Sequence, residues 1–86
     1  MPRISTFYGI LIYMYIDDHN PPHFHANYNE YNAMIGINDF ALLVGSLPPK
    51  AYAMVVEWAT LRQGELKKNW QNMVDGKPFI KIEPLK

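Results

Sequence analysis

The strongest constraint on the fold of this chain is a run of alternating segments separated by two pairs of turn-forming residues. The segments are 23–28, 31–37 and 40–44, and the turns are Asn29-Glu30 and Asn38-Asp39. Two-residue turns between alternating apolar and polar segments are typical of β-hairpins. Two consecutive hairpins predict an antiparallel meander.

The two turns also predict which residues lie opposite each other, because side chains alternate between the faces of a strand. The first turn pairs Phe24 with Ile35, and the second pairs Ile35 with Leu42. Both turns therefore assign one set of side chains to the same face, which we predict to be the core. This set contains Phe24, Ala26, Tyr28, Tyr31, Ala33, Ile35, Ile37, Phe40, Leu42 and Val44.

Strand and helix patterns flank the meander. The β-branched and aromatic run 9–16 predicts the first strand, and 79–83 predicts a short C-terminal strand. Apolar residues recur at helical spacing over 48–74, with an interruption at Gly64 and Ser46 as the predicted N-cap. We therefore predict an α+β fold. It is a small antiparallel β-meander of three to four strands, with one long or bent helix, or two helices, packed on one face.

Length and composition limit the class of protein. A chain of 86 residues cannot divide its buried surface between two cores, so we predict a single domain over 1–86. The absence of cysteine excludes disulfides and thiolate chemistry. Basic and acidic residues number eight each, so no strong nonspecific attraction to nucleic acid is expected. No apolar run is long enough to span a bilayer and no signal peptide is evident, which predicts a cytoplasmic protein.

All three histidines lie within the seven residues 19–25. On a strand, His23 and His25 project from the same face about 6.5 to 7 Å apart, a span over which two imidazoles can chelate one transition metal. His19 can return over the strand through the two prolines, and Asp17 or Asp18 can add a carboxylate. The pattern predicts a three-histidine site, or a site of two histidines and one carboxylate, for a divalent transition metal such as zinc.

The same histidines support two other interpretations. An imidazole pair that titrates near neutral pH can act as general acid and base at a phosphodiester, as in small ribonucleases. His19, His23 and His25 are then the candidate catalytic residues, with Arg3 or a lysine holding the phosphate. In the third interpretation, His23 and His25 are ordinary half-exposed strand residues and His19 caps a turn. The sequence leaves these alternatives open.

The face opposite the core, called the outer face below, carries many apolar and aromatic side chains. If Ile10, Ile12, Met14 and Ile16 join the core, their neighbours along the strand share the outer face with His23 and His25. Such a patch exceeds what a monomer usually exposes. We predict that a protein partner or a second copy of the chain covers it, the alternative being helix two or the C-terminal segment. Residues predicted to bind this partner are Leu11, Tyr13, Tyr15, Met34 and Leu43.

Nucleic acid is a weaker prediction for the outer face. Tyr13 and Tyr15 can stack bases on a sheet, but no lysine or arginine flanks them.

Several motifs are similar to those of a known family. Residues 4–10 read Ile-Ser-Thr-Phe-Tyr-Gly-Ile, and 17–26 read Asp-Asp-His-Asn-Pro-Pro-His-Phe-His-Ala; further matches lie at 45–48, 57–59 and 82–85. On these motifs the chain resembles the small prokaryotic family called domain of unknown function 4160. That resemblance implies a stand-alone cytoplasmic domain, often encoded beside another small domain in a pairing similar to a toxin–antitoxin module. It favours an interaction module that is half of a two-protein system, with a histidine-centred hydrolase as the alternative.

Overall fold

The computed structural model describes residues 3–16 and 18–86. Its strands form one open antiparallel sheet in which sequence neighbours are also neighbours in space. Two helices follow the sheet, so the predicted α+β class and antiparallel meander are confirmed, although the sheet has five strands rather than three or four. The elements are β1 Arg3–Phe7, β2 Ile10–Tyr13, β3 His23–Tyr28, β4 Tyr31–Gly36, β5 Leu42–Gly45, α1 Pro49–Leu61 and α2 Gln63–Val74.

The additional strand is β1, which forms a hairpin with β2. Tyr8 and Gly9 make the turn with φ angles of 49° and 79°, and Phe7 lies opposite Ile10. Positive φ at both turn residues suits the twist of a tight hairpin. A tyrosine rarely adopts this conformation, so the sequence lacks the usual Asn-Gly or Asp-Gly signal. The predicted first strand, 9–16, is too long at both ends, because Gly9 belongs to the turn and β2 ends at Tyr13.

The predicted register at the centre of the sheet is confirmed. Phe24 of β3 lies opposite Ile35 of β4, and Ile35 lies opposite Leu42 of β5. The tip of the second hairpin is wider than predicted, because the N–H of Gly36 bonds to the carbonyl of Ala41 and residues 37–39 form a turn between them. The wider turn does not change the register, because the bond between Gly36 and Ala41 keeps Ile35 opposite Leu42.

A bulge then shifts β5 by one residue. Val44, rather than Leu43, lies opposite Met34, which places Val44 on the outer face. Gly45 adopts a φ of 79°, and a Cβ at this position would collide with the carbonyl of Asn32. The prediction that Val44 joins the core is therefore wrong, because the close approach of the two backbones requires an irregular strand.

The core lies between the sheet and the helices. Four residues predicted to join it are exposed instead: Ile16 at 70 %, Tyr31 at 37 %, Leu42 at 45 % and Val44 at 60 %. Leu42 and Val44 are exposed because β5 is the last strand of the sheet, and all four of its residues are exposed. The buried apolar residues are Ile4, Phe7, Ile10, Ile12, Met14, Phe24, Ala26, Ala33, Ile35, Ile37, Ala51, Val55, Trp58, Ala59, Leu66, Trp70 and Ile82.

The helical segment forms two helices, which confirms one of the predicted alternatives. The break falls at Arg62, whose φ is −115°, and Gly64 lies inside α2. The predicted N-cap is wrong: Pro48 precedes α1 without a side-chain cap, because the N–H of Ser46 still bonds to the Asn32 carbonyl of the sheet. Neither helix in the described residues is long and apolar enough to cross a membrane.

The C-terminal segment is extended but forms no strand within the described residues. Its N–H at Ile82 donates one hydrogen bond to the carbonyl of Ile4 in β1. The amide side chain of Asn69 bonds to both the N–H and the carbonyl of Ile80, at 2.8 Å each. The prediction of a strand at 79–83 is wrong because α2, through Asn69, binds the backbone groups that a strand ladder would need.

Candidate metal centre

Two histidines of β3 and a carboxylate from the preceding loop converge at one point. The rings of His23 and His25 lie 5.0 Å apart between centroids. Oδ2 of Asp18 lies 3.1 Å from Nε2 of His23 and 3.1 Å from Nε2 of His25. The three ligand-type atoms lie within 4.8 Å of one another. We call Asp18, His23 and His25 the metal cluster.

His23 is oriented by Nδ1, the ring nitrogen that does not approach Asp18. Its Nδ1 donates a hydrogen bond to the carbonyl oxygen of Pro21 at 2.8 Å. In a neutral imidazole the proton on Nδ1 leaves Nε2 with a lone pair. This Nε2 is buried and has no hydrogen-bond partner among the described residues, because its approach to Asp18 lacks the angles of a hydrogen bond. Buried polar atoms are normally paired, so this nitrogen requires an explanation.

His25 is half-buried and donates a hydrogen bond to the same carboxylate. Its Nε2 lies in hydrogen-bond geometry with Oδ2 of Asp18 at 3.1 Å. Burial lowers the pKa of His25 below its ordinary value of 6.5, and the neighbouring His23 lowers it further, while the hydrogen bond and charge of Asp18 oppose this shift. The net effect favours the neutral imidazole, which is the form that binds metal ions.

Aromatic rings enclose the metal cluster on two sides. Trp70 of α2 lies 5.4 Å from the His23 ring between centroids. Tyr15 meets His25 edge-on at 4.3 Å, and Tyr13 stacks on Tyr15 at 6.4 Å. Trp70 was missed as a site residue by sequence reasoning, which identified it only as part of the apolar stripe of the second helical segment.

The other predicted site residues lie elsewhere. His19 is exposed and stands outside the metal cluster, and Asp17 lies outside the described residues. His23 lies opposite Gly36 as predicted, but it is only 3 % exposed. The expectation that both imidazoles face outward therefore fits His25 alone, because the side chain of Trp70 packs against His23.

The predicted partner-binding residues are spread over the outer face. Leu11, Tyr13, Tyr15 and Met34 are half-buried there, whereas Leu43 is exposed. A shallow concavity of about 250 Å³ lies next to His25, and its walls include Tyr15, Asn27, Asn32, Met34 and Val44. One imidazole thus belongs both to the metal cluster and to an open surface.

The dimensions of the metal cluster suit a first-row transition metal. Zinc bonds of about 2.0 to 2.1 Å in a tetrahedral site place ligand atoms about 3.3 Å apart, close to the 3.1 Å between Asp18 Oδ2 and each Nε2. A second hydrogen bond from the ring, here from His23 Nδ1 to a backbone carbonyl, is the usual support of a metal-binding histidine. Two histidines and one carboxylate form a ligand set that zinc, iron and related ions accept.

A five-stranded meander with two helices and this ligand set define the class of protein as a small α+β domain with a candidate metal centre. The family model described as Domain of unknown function (DUF4160) matches residues 9–71, and the chain belongs to that family. The matched region contains the metal cluster and extends into α2 as far as Gln71, so it includes Trp70. No curated protein and no solved structure matches the chain.

Proposed function

We propose that the chain binds one divalent transition metal ion through Asp18, His23 and His25 and uses it to hydrolyse a substrate. The observation that carries the proposal is the buried Nε2 of His23, which has no hydrogen-bond partner within residues 3–16 and 18–86 and lies 3.1 Å from Oδ2 of Asp18. A lone pair and a carboxylate oxygen repel each other at this distance. A cation between them converts the repulsion into two favourable contacts.

Burial decides between the metal-dependent and the metal-free interpretation. A general acid or base must come within hydrogen-bond distance of the substrate, whereas His23 is only 3 % exposed. A buried imidazole is well suited to bind a metal ion, since the surrounding protein excludes competing water. The structure therefore supports a ribonuclease-like acid–base pair of His23 and His25 less well than a metal centre.

The proposed chemistry follows from the number of ligands. Three protein ligands leave at least one coordination position for water, and a bound zinc ion lowers the pKa of water to about 7. His25 lies at the border between the metal cluster and the concavity on the outer face. A substrate in that concavity would lie beside the activated water, so hydrolysis is the reaction class that the arrangement supports.

The metal site is tested by calorimetric titration of zinc into untagged protein that has been stripped of metal with a chelator. We expect one zinc ion per chain in the wild type, and no stoichiometric binding in Asp18→Asn or His25→Ala. His19→Ala is the matched control, since His19 belongs to the same histidine-rich segment but is exposed and outside the metal cluster. It should bind zinc like the wild type.

Two results would contradict the proposal. One is an absence of stoichiometric zinc binding in the wild type, and the other is an equal loss of binding in His19→Ala and His25→Ala. For the hydrolytic step, the zinc-loaded wild type is compared with Asp18→Asn on activated esters, amides and phosphodiesters. Turnover that persists undiminished in Asp18→Asn would place the reaction outside the metal cluster.

The exposed β5 supports a second candidate function, association with a second copy of the chain. Leu42, Leu43 and Val44 are 45 %, 39 % and 60 % exposed, and β5 is the last strand of the sheet. The strand has no charged side chain, so two copies can pair antiparallel about a two-fold axis without opposing like charges. A role as one half of a toxin–antitoxin-like pair stays a prediction, and this edge is the surface on which it would be tested.

Light scattering coupled to size-exclusion chromatography tests this candidate. We expect a dimer for the wild type and a monomer for Val44→Lys, which adds two positive charges close together in the pair. Leu61→Lys is the control, because Leu61 is equally apolar and exposed but lies on α1. A wild type that remains monomeric at high concentration would contradict self-association.

A further inference from the structure

We infer that the concavity beside His25 binds an uncharged carboxamide, such as a peptide bond or an N-acyl group, rather than a phosphodiester. The inference rests on the proposed metal centre and names the substrate class of that site. It is argued from the position, the chemistry, the charge and the size of the concavity.

The position links the concavity to the metal cluster. His25 contributes Nε2 to the metal cluster, 3.1 Å from Oδ2 of Asp18. The same residue lines the concavity. Tyr15 also lines it and holds the His25 ring edge-on. A group bound in the concavity therefore lies next to the proposed metal without the need for any rearrangement of the sheet.

The polar chemistry comes from two amides. Asn27 and Asn32 lie directly opposite each other on β3 and β4, and both line the concavity. Each side chain offers one acceptor oxygen and two N–H donors. Together they can donate to the carbonyl of a bound amide and accept from its N–H. Asn27 is half-buried and Asn32 is exposed, so both are within reach of a ligand.

The charge of the concavity argues against a phosphodiester. None of the described residues that line it is a lysine or an arginine. Phosphate groups in proteins are normally held by cationic side chains or by clusters of backbone N–H groups. An uncharged ligand needs no cationic side chain and matches the amide pair.

The size is that of a single functional group with its neighbours. A volume of about 250 Å³ corresponds to about eight water molecules at about 30 Å³ each. An amide group with its flanking carbons has fewer heavy atoms than this and fits within the space. Met34 and Val44 complete the walls with apolar surface for those carbons.

The experiment is a titration followed by ¹⁵N-detected NMR of the side-chain amides in zinc-loaded, untagged protein. The neutral probe is N-acetylglycine methylamide and the anionic probe is dimethyl phosphate. We expect saturable shifts of the Asn27 and Asn32 side-chain signals with the neutral probe only. The side chain of Asn38 is the internal control, because it is exposed at the β4–β5 turn and does not line the concavity.

Single substitutions measure how much an asparagine side chain contributes to the affinity for the neutral probe. Asn32→Ala should weaken binding of the neutral probe about three- to tenfold, the effect of one lost hydrogen bond, whereas Asn38→Ala should leave it unchanged. The inference is overturned if the neutral probe shifts neither Asn27 nor Asn32, or if dimethyl phosphate binds at these residues more tightly.

These failures are distinguishable from failure of the metal centre. If zinc binds as proposed but the neutral probe does not, only the substrate class is wrong. The same titration in zinc-free protein separates the two further, because the amide pair does not depend on the metal. Binding of the probe to a protein that takes up no zinc would support the concavity and contradict the proposed metal centre.

Discussion

The two tryptophans lie on successive helices and contact different parts of the sheet. Trp58 of α1 is fully buried, packs against Phe7 and Phe24, and donates its indole N–H to the carbonyl of Glu83 at 2.7 Å. Trp70 of α2 is 9 % exposed and packs against the ring of His23. The first tryptophan contacts the sheet and the C-terminal segment, and the second contacts a member of the metal cluster.

This difference separates stability from function within one small core. On the α1 side, Trp58 connects α1 to the sheet by apolar packing and to the C-terminal segment by its indole hydrogen bond. On the α2 side, Trp70 packs against the metal cluster, in which Nε2 of His23 is buried and has no hydrogen-bond partner in the described part of the chain. Changes on the α1 side should therefore lower the free energy of unfolding, and changes on the α2 side should alter zinc binding.

The largest expected effect is that of Trp58→Ala. Removal of a fully buried tryptophan side chain costs about 3 to 5 kcal/mol, which is a large part of the total stability of about 5 to 15 kcal/mol typical of natural domains. Urea unfolding of the metal-free variant, followed by circular dichroism, measures the change. A loss below about 1 kcal/mol would show that Trp58 does not organise the core, and a protein that fails to fold would agree with the prediction.

A matched pair of milder variants sharpens the comparison. Trp70→Phe should lower zinc affinity about tenfold, at the lower end of the effect of outer-shell partners, because a smaller ring no longer holds His23 in place. Trp58→Phe should leave zinc affinity unchanged and destabilise the protein by about 1 to 3 kcal/mol, since the carbonyl of Glu83 loses its donor. Calorimetric titration and urea unfolding of both variants test the pair.

Equal losses of zinc affinity in the two variants would break the comparison, because the effect would then follow from general destabilisation. Unchanged affinity in Trp70→Phe would show that the Pro21 carbonyl alone is sufficient to orient His23.

The fold was predictable where local signals agree with each other. The turns at Asn29-Glu30 and Asn38-Asp39 both assign Phe24 and Ile35 to the core, and this register is confirmed. The strand β1 was missed because Tyr8 adopts a conformation that sequence patterns do not assign to tyrosine. The bulge in β5 was missed because it depends on the approach of Gly45 to another strand.

The candidate site was predictable in part for a similar reason. The period of a strand is two residues, so His23 and His25 were expected to project together. Whether His19 or Asp18 would join them depends on the loop between β2 and β3, and no local rule sets the path of such a loop. The contact with Trp70 depends on the packing of α2 and is not visible in the spacing of residues.

A smaller effect is expected for Gly64→Ala in α2. Gly64 lies in the helix, and a Cβ at this position would meet no atom within 4 Å. Replacement of a helical glycine by alanine reduces the freedom of the unfolded chain and should stabilise the protein by about 0.5 to 1 kcal/mol. Thermal unfolding measures this gain, and calorimetry should show unchanged zinc affinity. A loss of stability would mean that α2 does not tolerate even a methyl group on this face.

The smallest effect concerns the stability of the metal-free protein in mild acid. The pKa of His25 is lowered in the folded protein, mainly by burial, so below about pH 6.5 the unfolded chain binds more protons at this residue than the folded chain. The contribution of His25 to stability is therefore complete above pH 6.5 and is lost as the pH falls through its folded pKa. Urea unfolding at a series of pH values in the presence of a chelator measures this loss.

Two variants isolate His25 from the other groups that titrate in the same range. In His25→Ala, stability should fall less steeply below pH 6.5 than in the wild type, because the residue that resists protonation in the folded state is gone. In Asp18→Asn, it should fall more steeply, because the charge that raises the pKa of His25 is removed while burial still lowers it. Slopes that differ from that of the wild type in opposite directions require that His25 be held neutral against the attraction of Asp18. Identical slopes would show that the carboxylate and the imidazole do not interact in solution, and the proposed metal cluster would then lack one of its ligands.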